Sequence, residues 1–416
     1  MGHRDEKRKS RVESTRSNLP RGEDDPERRG QGGTSRKEES DSSKRPWQGR
    51  CSGRAAKRPA GQRQQHLYLA VDDWERGYSV YRLSEDDFHS GDVDADADVD
   101  VDLEARPAAS PVVRLEAQHL FSWAFAAHGT KIFAMRPSES SPGIPVFDTE
   151  TLGVTVCPRP RSRGLAGNRT PVYASAGGRL LAFEYFFSDV LGPEPPPTER
   201  PWSWTRPDAL APFPASLVRC HAVHPDGRTV FISVRGWRPT AAGAETLDST
   251  RGKRESTFAL DIASLEWTYV GEWLLPFKGQ AHYDRELDAW VGLCAGEERA
   301  GRVCCCDVLP AAGGRRDDMP AWKLGKDVFF EFYDTCHFGA TLVYMGGSRF
   351  CMVEKRAAKD EDSYPRHRVL KMTSFVLKYD KLGDLRTTQH RAFASLSYQI
   401  AHEQFDVVPE PAAFWM

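Results

Sequence analysis

No run of 18 apolar residues occurs in the chain, and the first 30 residues lack the apolar core of a secretory signal. The first absence argues against a membrane-spanning helix, and the second predicts a soluble protein of the cytoplasm or nucleus. Acidic residues inside "RGEDDPERRG" argue against organelle import, because transit peptides avoid them. Also missing are the Walker A loop, the dinucleotide glycine fingerprint, the nucleophile elbow and the HExxH helix. Those absences remove whole classes of nucleotide, hydrolase and zinc-protease chemistry, and no cofactor is called for. Helical periodicity is scarce throughout.

Nine cysteines in 416 residues is an odd count. In a reducing compartment they are expected as free thiols, and Asn168-Arg169-Thr170 then has no secretory route to glycosylation. "RVCCCDV" puts Cys304 and Cys306 on one strand face and Cys305 on the other, a pattern suited to packing. "RCHAVHP" brings Cys220, His221 and His224 together, but His221 and His224 point to opposite sides of a strand. No second ligand pair follows, so inner-strand packing is favoured over zinc.

The formal net charge of −2 hides an asymmetry. Residues 1–65 carry 18 Lys and Arg against 10 Asp and Glu, leaving 39 against 49 in the rest. Such a tail has too few branched apolar residues to offset the entropy of ordering, so it reads as a disordered basic N-terminal segment. Lys44-Arg45 and Lys57-Arg58 are spaced like a split nuclear-import signal. Nucleic acid is expected as a partner only through this tail. A second unusual segment, "SGDVDADADVDVDLE", is an acidic insertion at about 90–106. Its alternating aspartates lack the glycine and glutamate that an EF-hand loop requires.

From residue 66 to about 410 the chain consists of short β-type runs such as "HLYLAV", "TKIFAM", "RLLAFEYF" and "RTVFISV", separated by Gly, Asp and Pro turns. Three markers recur. Gly129, Gly178 and Gly227 end tight turns 49 residues apart and supply a positive φ. Asp148, Asp261 and Asp380 leave a third strand where a carboxylate can accept turn N–H groups. Trp204, Trp267 and Trp322 recur at comparable positions, which favours packing over ligand stacking.

Each unit reads strand, Gly turn, strand, long loop, strand, Asp turn, strand. One such meander cannot cover its own faces, whereas a ring of them can. The prediction is an all-β propeller of about six four-stranded blades: 66–118, 119–160, 171–217, 218–275, 279–325 and 335–391. Seven blades are also compatible, because the acidic insertion obscures the first. "HEQFDVVP" is expected to pair with the first blade and close the ring, leaving 411–416 as a tail.

"YLAVDDWERGYSVYRL", "GTKIFAM...IPVFDTETLGVTVCPRP" and "HAVHPDGRTVFISVRGW" together resemble a plant family, expanded in grasses, that is known only as a domain of unknown function. Its members resemble kelch-type propellers. The resemblance implies that fold and no established activity. The acidic insertion departs from it, as do units lacking the doubled glycine and paired aromatics of well-formed kelch repeats.

With both tight turns at one end of the strands, the long loops share the other. They are "PRPRSRGLAGNRTP", "SDVLGPEPPPTERP", "RGWRPTAAGAETLDSTRGKRES" and "EKRAAKDEDSYPRHR". Arg161, Arg163, Trp237 and Arg238 on these loops are the candidate binding residues, since Arg and Trp are common interface anchors. The function expected is a monomeric, non-enzymatic scaffold binding a macromolecule, with a protein the favoured class. The alternative is a metal- or carboxylate-dependent enzyme using the axial channel.

Overall fold

A computed structural model of the chain describes residues 64–89, 110–117, 123–135, 143–160, 172–194, 202–236, 254–311, 314–357, 367–400 and 410–416. All lie in one compact unit, Arg63–Met416. In chain order the strands are β1 (His66–Trp74), β2 (Gly77–Ser84), β3 (Phe88–His89), β4 (Val113–Glu116), β5 (Ala124–His128), β6 (Lys131–Met135), β7 (Gly143–Asp148) and β8 (Val154–Pro158). Then follow β9 (Val172–Ala176), β10 (Arg179–Glu184), β11 (Phe187–Leu191), β12 (Trp204–Thr205), β13 (Val218–Val223), β14 (Thr229–Arg235), β15 (Glu255–Asp261) and β16 (Glu266–Gly271). The rest are β17 (Phe277–Asp284), β18 (Ala289–Cys294), β19 (Arg302–Asp307), β20 (Trp322–Val328), β21 (His337–Gly346), β22 (Arg349–Ala357), β23 (His367–Tyr379), β24 (Leu385–Gln399) and β25 (Ala412–Trp415).

These strands form six antiparallel meanders. Blades 2 to 6 take four consecutive strands each: β5–β8, β9–β12, β13–β16, β17–β20 and β21–β24. Blade 1 is ordered β25-β1-β2-β4, so the C-terminal strand is its innermost. The six inner strands β25, β5, β9, β13, β17 and β21 contact one another in sequence and return to β25, and β13 runs parallel to β17. The molecule is therefore a closed six-bladed β-propeller.

The second strand of each blade explains why the ring forms. Stretches such as "IFAM" and "FCMV" are apolar without interruption, and period-2 geometry sends alternate side chains to opposite neighbours. On β22, Phe350 and Met352 pack toward blade 5, whereas Cys351 and Val353 pack toward blade 1. Six apolar clusters result, one between each pair of adjacent blades. Hydrogen bonds tie every interface as well. Trp123 N donates to Tyr78 Oη (3.1 Å), Trp204 Nε1 to Pro158 O (2.7 Å), Arg179 Nη1 to Ile262 O (2.8 Å) and Trp290 Nε1 to Val223 O (2.9 Å). Between blades 5 and 6 the buried Asp284 carboxylate accepts from Ser348 N and Oγ, both at 2.8 Å. Blades 6 and 1 are joined by Thr341 Oγ1 donating to Pro411 O (2.7 Å).

The turn markers behave as expected. Gly129, Gly178 and Gly227 have φ of 59°, 68° and 67°. Asp148, Asp261 and Asp380 each use Oδ1 to accept two backbone N–H groups of their own turn. Trp204, Trp267 and Trp322 stand on the outer strands of blades 3, 4 and 5 and pack into the inter-blade clusters. The triple cysteine divides as its parity requires, Cys304 and Cys306 toward blade 4 and Cys305 toward blade 6. All eight described cysteines are free thiols.

Two expectations need correction. The residues expected to close the ring, 402–409, lie outside the described residues; Ala412–Trp415, read from sequence as part of a tail, pairs with β1 instead. The run "RLLAFEYF" is strand only to Glu184, and "SDVL", read from sequence as the start of a long loop, is strand. A two-residue turn at Tyr185-Phe186, with Tyr185 at φ 56°, separates β10 from β11. The proline-rich connection after Leu191 thus joins the third and fourth strands of blade 3, at the tight-turn end of the ring. No helix among the described residues is long and apolar enough to cross a membrane.

Candidate functional site

Two ends of the ring differ in what they carry. At the tight-turn end lie the connections between first and second strands and between third and fourth; at the other lie the second-to-third loops and the inter-blade connectors. Three of the four long loops singled out from sequence belong to this second end. Arg161, Arg163, Trp237 and Arg238 lie outside the described residues, as do Lys44, Arg45, Lys57 and Arg58 and the acidic insertion. The stems of two loops are described. Pro160 follows β8, and Gly236 N donates to Arg254 O (2.6 Å), closing the base of the loop that carries Trp237 and Arg238.

Where this end meets the axis, charged side chains from three blades converge on Glu410. Its carboxylate pairs with Lys278 Nζ of blade 5 at 2.6 Å and accepts from Ala340 N of blade 6 at 2.8 Å. Gly339 makes the approach feasible: its φ is 134°, and a Cβ there would stand 2.5 Å from Glu410 Oε2. Lys355 lies directly opposite Gly339 in the β21–β22 register. Burial pulls the Lys355 ammonium down to about 8, although the nearby Glu410 carboxylate works against that fall. Asp72 and Arg368 are its other charged neighbours, and the Arg368 guanidinium lies 4.1 Å from the Phe338 ring centroid.

Beside this group, His337 and Glu354 hold buried polar atoms without hydrogen-bond partners: His337 Nε2 and both Glu354 carboxylate oxygens. Burial lowers the imidazole below its ordinary range and raises the carboxyl above its own. Lys371 Nζ and Arg356 Nη1 each stand 3.7 Å from Glu354, and Arg356 also pairs with Asp334 at 2.7 Å.

Deeper along the axis, His221 on β13 is buried and His282 on β17 is half-buried. Desolvation brings each down to about 4, and His282 is a further cause at His221. His282 Nε2 donates to Leu342 O at 3.0 Å, whereas His221 Nε2 has no partner. His224 sits apart in the turn, where its Nδ1 accepts from Asp226 N at 3.1 Å. The expected separation of the two histidines holds, and among the described residues no three His, Cys, Asp or Glu side chains gather as a metal site.

Chemically, this end offers fixed charges of both signs, a lysine neutralised more readily than usual, and neutral imidazoles. Sequence reasoning missed the Glu410 group because its members are drawn from positions 72 to 410. Only the aromatic run "FFEFYD" at 329–334 gave a local signal for this region.

No curated protein matches the chain. Solved structures similar to it include the periplasmic gluconolactonase PpgL of Pseudomonas aeruginosa, at 9% identity and a TM-score of 0.35, covering 81% of this chain and 100% of that one. A putative 6-phosphogluconolactonase from Bacteroides fragilis follows at 9% and 0.36, covering 82% and 98%. Apo AztD from Citrobacter koseri stands at 10% and 0.32, covering 80% and 98%. At these scores none of them assigns a ligand or an activity here. The family model described as protein of unknown function, DUF1668, matches residues 64–395, most of the ring, and the chain belongs to that family.

Proposed function

We propose that this propeller is a non-enzymatic scaffold that binds a partner protein through its long-loop end. The supporting observation is the sidedness of the ring: at each of the six inter-blade interfaces the chain passes at that end from the outer strand of one blade to the inner strand of the next, beside loops set on a rigid base. Loops on such a base can recognise a partner without giving up much conformational entropy. Arg161, Arg163, Trp237 and Arg238, which follow the described stems in sequence, are the anchors of this reading. Its test is proximity labelling with the full chain and with a variant carrying alanine at these four positions. Loss of a reproducible set of neighbours in the variant supports the reading, and an unchanged set sinks it. The kelch-like and plant character expected from the sequence fits a scaffold of this type, and nuclear entry through the paired basic residues of the tail would set where it works.

A second reading, an enzyme of the axial channel, draws on the low pKa of Lys355 beside Glu410 and on the neutral His221 and His282. Metal analysis of purified protein and amine-reactive labelling of Lys355 test it. Stoichiometric bound metal or selective labelling at neutral pH would favour it over the scaffold.

A further inference from the structure

The connector between blades 5 and 6 holds two aromatic rings in water on a fixed base. Its first two rings are anchors: Phe329 lies 4.8 Å from Phe375, and Phe330 stacks on His337 at 3.9 Å with 15° between planes. Phe329 N donates to Gly301 O (2.8 Å), and Gly301 fits so tightly that a Cβ on it would stand 1.8 Å from Phe330 O. Asp334 fixes the other side, accepting from Arg356 Nη2 (2.7 Å) and Cys336 N (2.9 Å), while its own O accepts from His337 N (3.0 Å). Between these anchors Phe332 is 47% exposed and Tyr333 84% exposed, edge to face at 5.1 Å, with Val328 43% exposed just before them.

The neighbouring loop of blade 5 adds charge of one sign. Its 3-10 turn, Glu297–Arg299, exposes Glu297 and Glu298 and leads into Gly301, and Glu331 is exposed on the connector itself. None of these three glutamates pairs with a described cation. The two nearby arginines are turned elsewhere: Arg299 lies over the Trp322 ring at 5.2 Å, and Arg302 Nη1 donates to Gly325 O and Lys326 O. The patch is therefore aromatic and acidic.

Large rings exposed on a rigid loop cost hydration and lose little freedom when a partner covers them. Ring faces attract cations, and carboxylates form charge-assisted bonds with them. A guanidinium, which is planar and weakly hydrated, suits both better than an ammonium. The geometry points to Phe332, Tyr333, Glu297, Glu298 and Glu331 as a docking patch for an extended arginine-bearing segment of a partner protein. This inference rests on the reading of the long-loop end as a protein-binding surface and adds the chemistry of what binds there. The chain's own basic residues before Gln64 are the rival occupant. They join the ring at the start of β1, which lies at the tight-turn end.

The test uses the full chain and fluorescence anisotropy with three labelled dodecapeptides of alternating glycine and arginine, lysine or glutamine. The arginine peptide is expected to bind, the lysine peptide several-fold more weakly, and the glutamine peptide not at all. Tyr333→Ala and Phe332→Ser should each weaken arginine-peptide binding by about ten-fold, the scale of a truncated interface anchor. Glu297→Gln with Glu298→Gln should weaken it by a smaller factor. Glu266→Gln, an exposed change at the tight-turn end, serves as the unchanged control, and melting curves establish that each variant is folded. Equal binding by wild type and Tyr333→Ala overturns the proposal, as does equal affinity for lysine and arginine peptides. Binding that appears only after deletion of residues 1–63 assigns the patch to the chain's own tail and overturns it too. An absent peptide signal, with proximity labelling still lost in the four-alanine variant, defeats this inference alone; unchanged labelling defeats the wider reading.

Discussion

His221, buried, and His282, half-buried, are neutral, with folded-state pKa values brought down to about 4 from 6.5. Between those values the unfolded chain holds protons that the folded ring refuses, so stability rises with pH across that window and falls on acidification below about 6.5. Each shift corresponds to roughly 3 kcal/mol at its limit. His221→Leu, which also removes an unpartnered nitrogen, should flatten the dependence of the melting temperature on pH between 6.5 and 4; an unaltered slope would mean that the ring charges in place. Asp284→Ala strips the buried Ser348 N–H and the half-buried Leu287 N–H of their acceptor and should cost about 2–4 kcal/mol in denaturant unfolding. Gly339→Ala meets both a positive φ and the Glu410 carboxylate, and a loss of about 1–3 kcal/mol is expected, read as a lowered melting temperature.

At the level of elements, β25 carries the largest consequence. It pairs with β1 through Leu67↔Trp415 to Ala70↔Ala412, and its ladder extends to reciprocal bonds between His66 and Met416. Ending the chain at Pro411 removes that ladder, and roughly 1 kcal/mol per lost bond predicts a loss of about 3–6 kcal/mol. Hydrogen exchange should quicken first at Leu67–Ala70 and along β21, and uniform quickening around the ring would contradict this. The repeating turns were legible in the sequence because each marker answers to one local requirement, a positive φ at Gly129 or a carboxylate acceptor at Asp148. Tyr185 and Ala412–Trp415 were not. A left-handed Tyr inside an apolar run leaves no local mark, and a four-residue strand is recognised only by the edge it completes. The Glu410 group was hidden for a related reason, since Lys278, Gly339 and Lys355 become its neighbours only when three blades are assembled. Phe332 and Tyr333 lay in plain view as an aromatic run, but sequence does not say which rings are buried.

The whole ring repeats one solution six times, an apolar cluster and a hydrogen bond across each interface, so no blade is dispensable and unfolding should be cooperative. The ends of the ring are in contact, with His66 N donating to Met416 O at 2.7 Å and Met416 N to His66 O at 3.0 Å. A circular permutant that joins Met416 to Gln64 through a short Gly/Ser linker, and opens within 237–253, should keep the same far-ultraviolet circular dichroism and melt within a few degrees of the parent. A permutant that fails to fold would show that the order of blade formation matters as much as the final contacts.

The placement of β25 has a temporal side. A ribosome delivers β1 long before β25, the neighbour that shields its axial edge, because the other described strands lie between the two in the chain. During translation, the growing polypeptide must therefore hold five meanders and an unfinished first one, with β1's backbone open to stray pairing until β25 emerges.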